Sequence, residues 1–361
     1  MKKRYMGLIM IITIVIGIVG FVNFHPVFGG KATGIGFSPN YKDGKFQNIE
    51  NVAINTQDGS IFSMIYDFLF NGSPEKVPKI TIPTKKIDNS KLSDNSFVWL
   101  GHSTVLMDID QKKIITDPVF YEASPLLFGG KPFKYSHTPK IEDLPNIDVV
   151  VISHDHYDHL DYKTITEIDS KVGEYLVPLG VGSHLKKWGV KPEKITEFDW
   201  YDSKNIEGID FNFTPAQHFS GRGITDRAST LWGGWAIKGK ENNVYFSGDT
   251  GYFKEFKKIG EKFGPFDIAF LENGAYNKNW KDIHMMPEEA VMAGLDLKAK
   301  TMMPIHWGKF DLSLHSWYEP IERVTKAAKN KNIEVFHPQV GEIFEKNNLP
   351  KEKWWSELIK K

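Results

Sequence analysis

Ser153-His154-Asp155-His156-Tyr157-Asp158-His159-Leu160-Asp161 decides how this chain is read. Three imidazoles and the Asp158 carboxylate lie within six consecutive positions, directly after Val149-Val150-Val151-Ile152. A β-branched run of that kind predicts a buried strand. Residues two apart in an extended chain project to the same side, so His154 and His156 can grip one ion. The chain then turns, and Asp158 and His159 can reach a second ion. Scattered loop histidines do not produce this spacing of metal-ligand residues.

Composition narrows the chemistry. The 361 residues hold 45 Lys plus Arg and 45 Asp plus Glu, and such neutrality gives no electrostatic footprint for nucleic acid. There is no cysteine. Disulfides, thiolate metal sites and a lipoprotein anchor are thereby excluded, and any metal must sit on histidine and carboxylate.

Residues 6–24 read MGLIMIITIVIGIVGFVNF, with Lys2, Lys3 and Arg4 ahead of them and no further charge until Lys31. At about 1.5 Å per residue this run spans roughly 28 Å, close to the ~30 Å hydrocarbon core of a bilayer. The positive-inside rule puts the N-terminus in the cytoplasm and the rest of the chain on the extracytoplasmic side of the cell membrane. A cleaved signal peptide would have a shorter apolar region and small residues at its end, so an uncleaved single-pass anchor over residues 1–30 is expected. Residues 31–90 are expected to form a tether and accessory segment. Within it, residues 61–70 (IFSMIYDFLF) predict a helix that is apolar nearly all round, either buried or lying in a membrane interface.

From about residue 97 strands follow one another, and helical patterns then alternate with them, at 161–168, 182–188, 252–263, 287–297 and 320–329. This order predicts one α/β layered domain with mixed sheets over roughly residues 91–350. Three more ligand types stand where strand patterns end: His218 in Pro215-Ala216-Gln217-His218, Asp249 in Gly248-Asp249-Thr250-Gly251, and His306 in Pro304-Ile305-His306-Trp307-Gly308. Strand ends are how ligands distant in sequence converge on one rim.

In order and motif, His154-x-His156-x-Asp158-His159, His218, Asp249 and His306 resemble the metallo-β-lactamase superfamily. Leu100-Gly101-His102-Ser103-Thr104, Thr116-Asp117-Pro118, Leu231-Trp232-Gly233-Gly234-Trp235 and Gly274-Ala275-Tyr276 are similar to its N-acylphosphatidylethanolamine phospholipase D branch. The resemblance implies an αββα sandwich of two mixed sheets with two divalent metals at one edge. His154, His156 and His218 would bind one metal, Asp158, His159 and His306 the other, with Asp249 bridging. Zinc suits this donor set best, with iron or manganese as alternatives. Two such cations lower the pKa of a shared water and clamp both oxygens of an in-line displacement. Asp158 and Asp249 thus also count as catalytic.

Around this centre, His102 and Asp117 are candidates to orient ligands from behind. His284, just ahead of a helix that starts at Pro287, could bind a phosphate or protonate a leaving group. Arg222, Arg227 and Tyr276 are candidate substrate contacts, and the apolar residues 120–133 could line an acyl-chain groove. Glu272 and Asn273 depart from the apolar residues of the eukaryotic phospholipases, and a carboxylate there is expected to disfavour an anionic substrate. The implied activity is a membrane-anchored, metal-dependent phosphodiesterase acting on a phospholipid. The alternatives are a lactonase or sugar-phosphate hydrolase acting on a small molecule, and a non-catalytic metal-containing binding protein.

Overall fold

The computed structural model describes residues 25–50, 70–124 and 130–360, with single positions at 52 and between 5 and 21. The helix expected over 61–70 therefore lies outside the described residues except at Phe70, as does most of the apolar run 6–24. Among the described residues, no helix is long and apolar enough to cross a membrane.

A small hairpin, β1 (Tyr41–Lys42) with β2 (Lys45–Phe46), precedes two seven-stranded sheets. The first sheet holds β3 (Ser96–Trp99), β4 (Val105–Ile109), β5 (Lys112–Thr116), β6 (Ile147–Val151), β7 (Val172–Pro178) and β8 (Ile195–Phe198), with β16 (Ile343–Glu345) on the edge beside β3. The second holds β9 (Ser203–Ile206), β10 (Ile209–Thr214), β11 (Gly234–Lys238), β12 (Asn243–Phe246), β13 (Ile268–Glu272), β14 (Thr301–Ile305) and β15 (Glu334–Val335). Both are mixed. From β16 to β5 neighbours are antiparallel and from β5 to β8 parallel. From β9 to β12 neighbours are antiparallel and from β12 to β15 parallel.

Alternation along the strands builds the layers. Phe97, Trp99, Met107, Val149 and Val151 face the second sheet and pack with Phe213, Trp235, Phe246 and Phe270. Their neighbours Val98, Leu106, Val150 and Tyr175 face the other way, under Ile165 and Leu185 of the helices Tyr162–Ile168 and Gly182–Lys187. The helices Glu255–Lys262, Pro287–Asp296 and Glu319–Ala328 flank the second sheet. From Val149 to Val151 β6 is buried on both faces, which is why that stretch is a continuous β-branched run rather than an alternating one.

Two nails join the sheets close to the rim. The indole of Trp235 donates to the carbonyl of Ile152 at 2.9 Å, and Gly233 N donates to the carbonyl of Ser153 at 3.0 Å. Packing runs past the ends expected for the domain. Trp354 stacks on Trp307 and Trp355 is wholly buried, while Val27, Ile35 and Phe46 are buried in the stretch expected as anchor end and tether.

Candidate metal centre

Ser153 through His159 leave the end of β6 and wrap into a turn that Asp161 closes. Its carboxylate accepts from Lys163 N and Thr164 N and so caps the helix Tyr162–Ile168. Asp117 follows β5, His218 follows β10, Asp249 follows β12, and His306 follows β14. Every donor thus stands past the C-terminal end of a strand, and the two sheets bring these ends to one rim. Gly248 makes this approach possible. At φ +57, a Cβ there would lie 2.4 Å from Cβ of Ser153. His102, Asp117 and His306 also hold positive φ values of 57°, 34° and 67°, and such strain in non-glycine residues gathers at functional sites.

Two four-membered groups have ligand atoms within 4.8 Å of one another: His154, His156, His218 and Asp249; and His102, Asp158, His159 and His306; the overlapping trios Asp117, His154, His159 and Asp249, His284, His306 meet the same distance. In the first, His154 Nε2 lies 2.8 Å from His156 Nδ1, which lies 3.2 Å from His218 Nε2. Asp249 joins the two groups. Its Oδ2 is 3.1 Å from His159 Nε2 and from His306 Nε2, 3.8 Å from His218 Nε2 and 3.9 Å from His154 Nε2.

The far side is fixed for His154, His159 and His218. Asp117 Oδ2 accepts from His159 Nδ1 at 2.7 Å and from Ser153 Oγ at 2.5 Å, while Asp117 Oδ1 accepts from Ser153 N at 2.7 Å. With its hydrogen on Asp117, Ser153 Oγ accepts from His154 Nδ1 at 2.9 Å. His218 Nδ1 donates to the carbonyl of Ile283 at 3.0 Å. These bonds set the tautomers that turn Nε2 of His154, His159 and His218 toward the centre. Burial pushes His102 down to about 3, and its uncharged ring approaches Asp158 Oδ2 through Nε2 at 3.1 Å. Burial alone would raise the Asp249 carboxyl, yet His159 and His306 beside it hold it well below the usual carboxylate range.

The donor set fits divalent metal ions. His159 Nε2, His306 Nε2 and Asp249 Oδ1 are buried without any hydrogen-bond partner. Orphaned polar atoms converging in an interior are costly unless something ligates them. Imidazole nitrogen and carboxylate oxygen are the donors that zinc, iron and manganese accept.

Other expectations divide. His284 stands beside the centre, its ring 5.0 Å from that of His218 and 5.5 Å from that of His306. Arg227 lies over the ring of Phe219, which itself packs on His156, so this exposed guanidinium is at the rim. Arg222 is not a substrate contact. It is buried, and its guanidinium donates to the carbonyls of Val27, Asp155 and Leu160. Tyr276 is turned away as well, its hydroxyl on Glu319 and its ring between His315 and Arg323. Of residues 120–133, Phe120, Tyr121, Glu122, Ser124 and Pro132 line a cavity of about 430 Å³ with Val27, Tyr157 and Tyr162, and Asp161 and Lys163 also border it; residues 125–129 are outside the described ones.

Glu272 has a different role from the one its charge suggests. Fully buried at the end of β13, it accepts from Gly274 N at 3.2 Å, from Met285 N at 2.9 Å and from His284 Nδ1 at 3.2 Å. Its charge is thus met by donors, and it orients His284. The available signal was positional: Glu272, like His218, Asp249 and His306, stands at the end of a strand. Asp155 is likewise internal, bonded to His184, Thr230 and Gly221 N.

A family model for the beta-lactamase superfamily domain matches residues 112–307. An uncharacterized protein of Mycobacterium tuberculosis is 40% identical over 326 residues, covering 88% of this chain and 87% of its own. N-acyl-phosphatidylethanolamine-hydrolyzing phospholipase D 1 of Caenorhabditis elegans is 37% identical over 295 residues, covering 76% of this chain and 83% of its own. Among solved structures, the metallo hydrolase Igni18 of Ignicoccus hospitalis superposes with a TM-score of 0.53 at 24% identity, over 69% of this chain and 98% of that one. With this architecture, two joined donor groups and these relatives, the chain belongs to the metallo-β-lactamase superfamily, in the branch of the N-acyl-phosphatidylethanolamine-hydrolyzing phospholipases D.

Proposed function

We propose that this metal-dependent hydrolase is a dinuclear phosphodiesterase acting on N-acyl phosphatidylethanolamine-like phospholipids. The observation that carries the reading is the place of Asp249 Oδ2, between imidazoles drawn from both donor groups. His154, His156 and His218 would hold one ion and Asp158, His159 and His306 the other, with Asp249 shared. When bound, the two ions supply an activated water and neutralise charge on the phosphoryl oxygens.

The chain's own residues do the rest. Glu272 holds His284 by its Nδ1–H, which leaves the lone pair of Nε2 to take the proton that the attacking water loses and hand it to the departing alkoxide. The P–O bond to the alcohol breaks as the bond to the water oxygen forms, so the products are a phosphate monoester and an alcohol. Arg227 at the rim suits the anionic phosphodiester, and the cavity beside Phe120 and Tyr157 suits an alkyl chain. The glutamate near the site is bonded by its own donors and does not repel such a substrate.

In this reading residues 6–24 anchor the enzyme in the cell membrane with the catalytic domain outside the cytoplasm. The flanking Lys2, Lys3 and Arg4 support that orientation. The test is a rate comparison by the metal-loaded full chain on an N-acylated phospholipid, a simple phosphodiester and a lactone. The phospholipid is expected to be fastest, and Asp158→Ala is expected to abolish its turnover while leaving a folded protein. Preferred turnover of the lactone would overturn the substrate, and full activity of Asp158→Ala would overturn the centre.

A further inference from the structure

Residues 25–48 leave the apolar run and lie directly against the loops that carry the histidines. Hydrogen bonds along its length hold this strap down. Trp188 Nε1 donates to Pro26 O at 2.7 Å, Lys187 Nζ to Gly29 O at 2.7 Å, and Phe46 N to Ala228 O at 2.8 Å. From the strap, the carbonyl of Val27 accepts Nε and Nη2 of Arg222 at 3.0 and 2.8 Å. Nη1 of the same guanidinium donates to Asp155 O at 2.6 Å and Leu160 O at 2.7 Å, on either side of the turn that holds His156, Asp158 and His159.

At its other end the strap reaches His218. The carboxamide of Asn48 donates through Nδ2 to His218 O at 2.8 Å, and Oδ1 accepts from His218 N at 3.1 Å. Oδ1 also accepts from the indole of Trp232 at 3.1 Å. His218 lies beyond the end of β10, where the sheet ladder no longer pairs its backbone. A primary amide offers a donor and an acceptor side by side, as a peptide does, so Asn48 takes the place of a neighbouring strand.

We propose that Asn48 is a positioning residue for His218, which makes residues 25–48 part of the metal centre rather than a tether. The imidazole is pinned from inside by Ile283 O and the peptide from outside by Asn48, so freeing the peptide lets Nε2 drift from the other donors. The inference rests on reading His218 as a ligand.

The test is zinc binding by the full chain in competition with a chromogenic chelator. Asn48→Asp keeps the acceptor for His218 N and Trp232 but sets a carboxylate oxygen against His218 O. About a tenfold loss of affinity is expected at one of two ions, the usual scale for a lost partner behind a ligand. Asn48→Ala, which adds no repulsion, is expected to do the same. Asn40→Ala cuts a strap contact that does not touch the histidine loops, Asn40 Nδ2 to Asp199 Oδ1 at 2.8 Å, and is expected to leave zinc affinity unchanged. Wild-type affinity in both Asn48 variants would overturn the proposal, as would an equal loss in Asn40→Ala. A lower melting point of the zinc-free protein with no loss of affinity would mark the contact as support only, and also overturn it. If the unaltered chain takes up no zinc, the metal-centre reading fails first and this inference with it.

Discussion

Arg222 carries its charge into the interior, where its guanidinium meets three carbonyl oxygens and two aromatic rings. Replacing it by leucine would leave Val27 O, Asp155 O and Leu160 O without this donor. At about 1–3 kcal/mol for each buried group left unsatisfied, Arg222→Leu is expected to destabilise the protein by at least about 3 kcal/mol, read from the urea midpoint. A loss below about 1 kcal/mol would mean that these carbonyls find water instead. The same residue marks the limit of legibility at this scale. Histidines and aspartates at ligand spacing announce themselves because the chemistry needs those residue types together. An arginine bound to backbone carbonyls of residues far along the chain leaves no local pattern, and in sequence it looks like an anion clamp. Asn48 was invisible for the same reason: 170 positions separate it from His218.

At the scale of elements, legibility follows burial. The helices and β6 stand within a few residues of where the sequence pattern puts them, since one face or both must be apolar. β9 carries no such pattern: it lies on a sheet edge, reads Ser-Lys-Asn-Ile and only half buries its side chains. The tryptophan at 235 was legible as part of a motif, but its hydrogen bond across the sheets was not. Trp235→Phe would keep an aromatic ring in the core while orphaning Ile152 O and opening a small void. The expected cost is about 2–4 kcal/mol, measured by chemical denaturation. Wild-type stability would show that the indole N–H is dispensable to the joint between the sheets.

For the molecule as a whole, two solution properties follow. Ions that bind only the folded chain stabilise it by mass action, about 4 kcal/mol at a thousandfold excess over Kd. Chelation is therefore expected to lower the melting temperature reversibly, and re-addition of zinc to restore it; an unchanged melt would deny that metal is part of the fold. The second property concerns Lys309. Its ammonium is buried against Val119 O and Leu100 O, and burial lowers it to about 7. An unfolded lysine titrates near 10.4, so between about pH 7 and 10 the unfolded chain binds more protons at this group. Its contribution to stability therefore rises with pH through that window. Lys309→Met is expected to flatten that rise in melting temperature measured from pH 7 to 10, and parallel curves would refute it.

The strand pairing gives the molecule a seam. Three antiparallel contacts followed by three parallel ones occur in each sheet, and the chain passes from one sheet to the other once, between Phe198 and Ser203, apart from the returning edge strand β16. Each donor group is drawn from both sides of that passage: His154 and His156 with His218 and Asp249, Asp158 and His159 with His306. Neither half owns a complete site. A chain nicked between residues 199 and 202 would yield two pieces that regain high-affinity zinc only by reassembling, so metal uptake would serve as the reporter of that reunion.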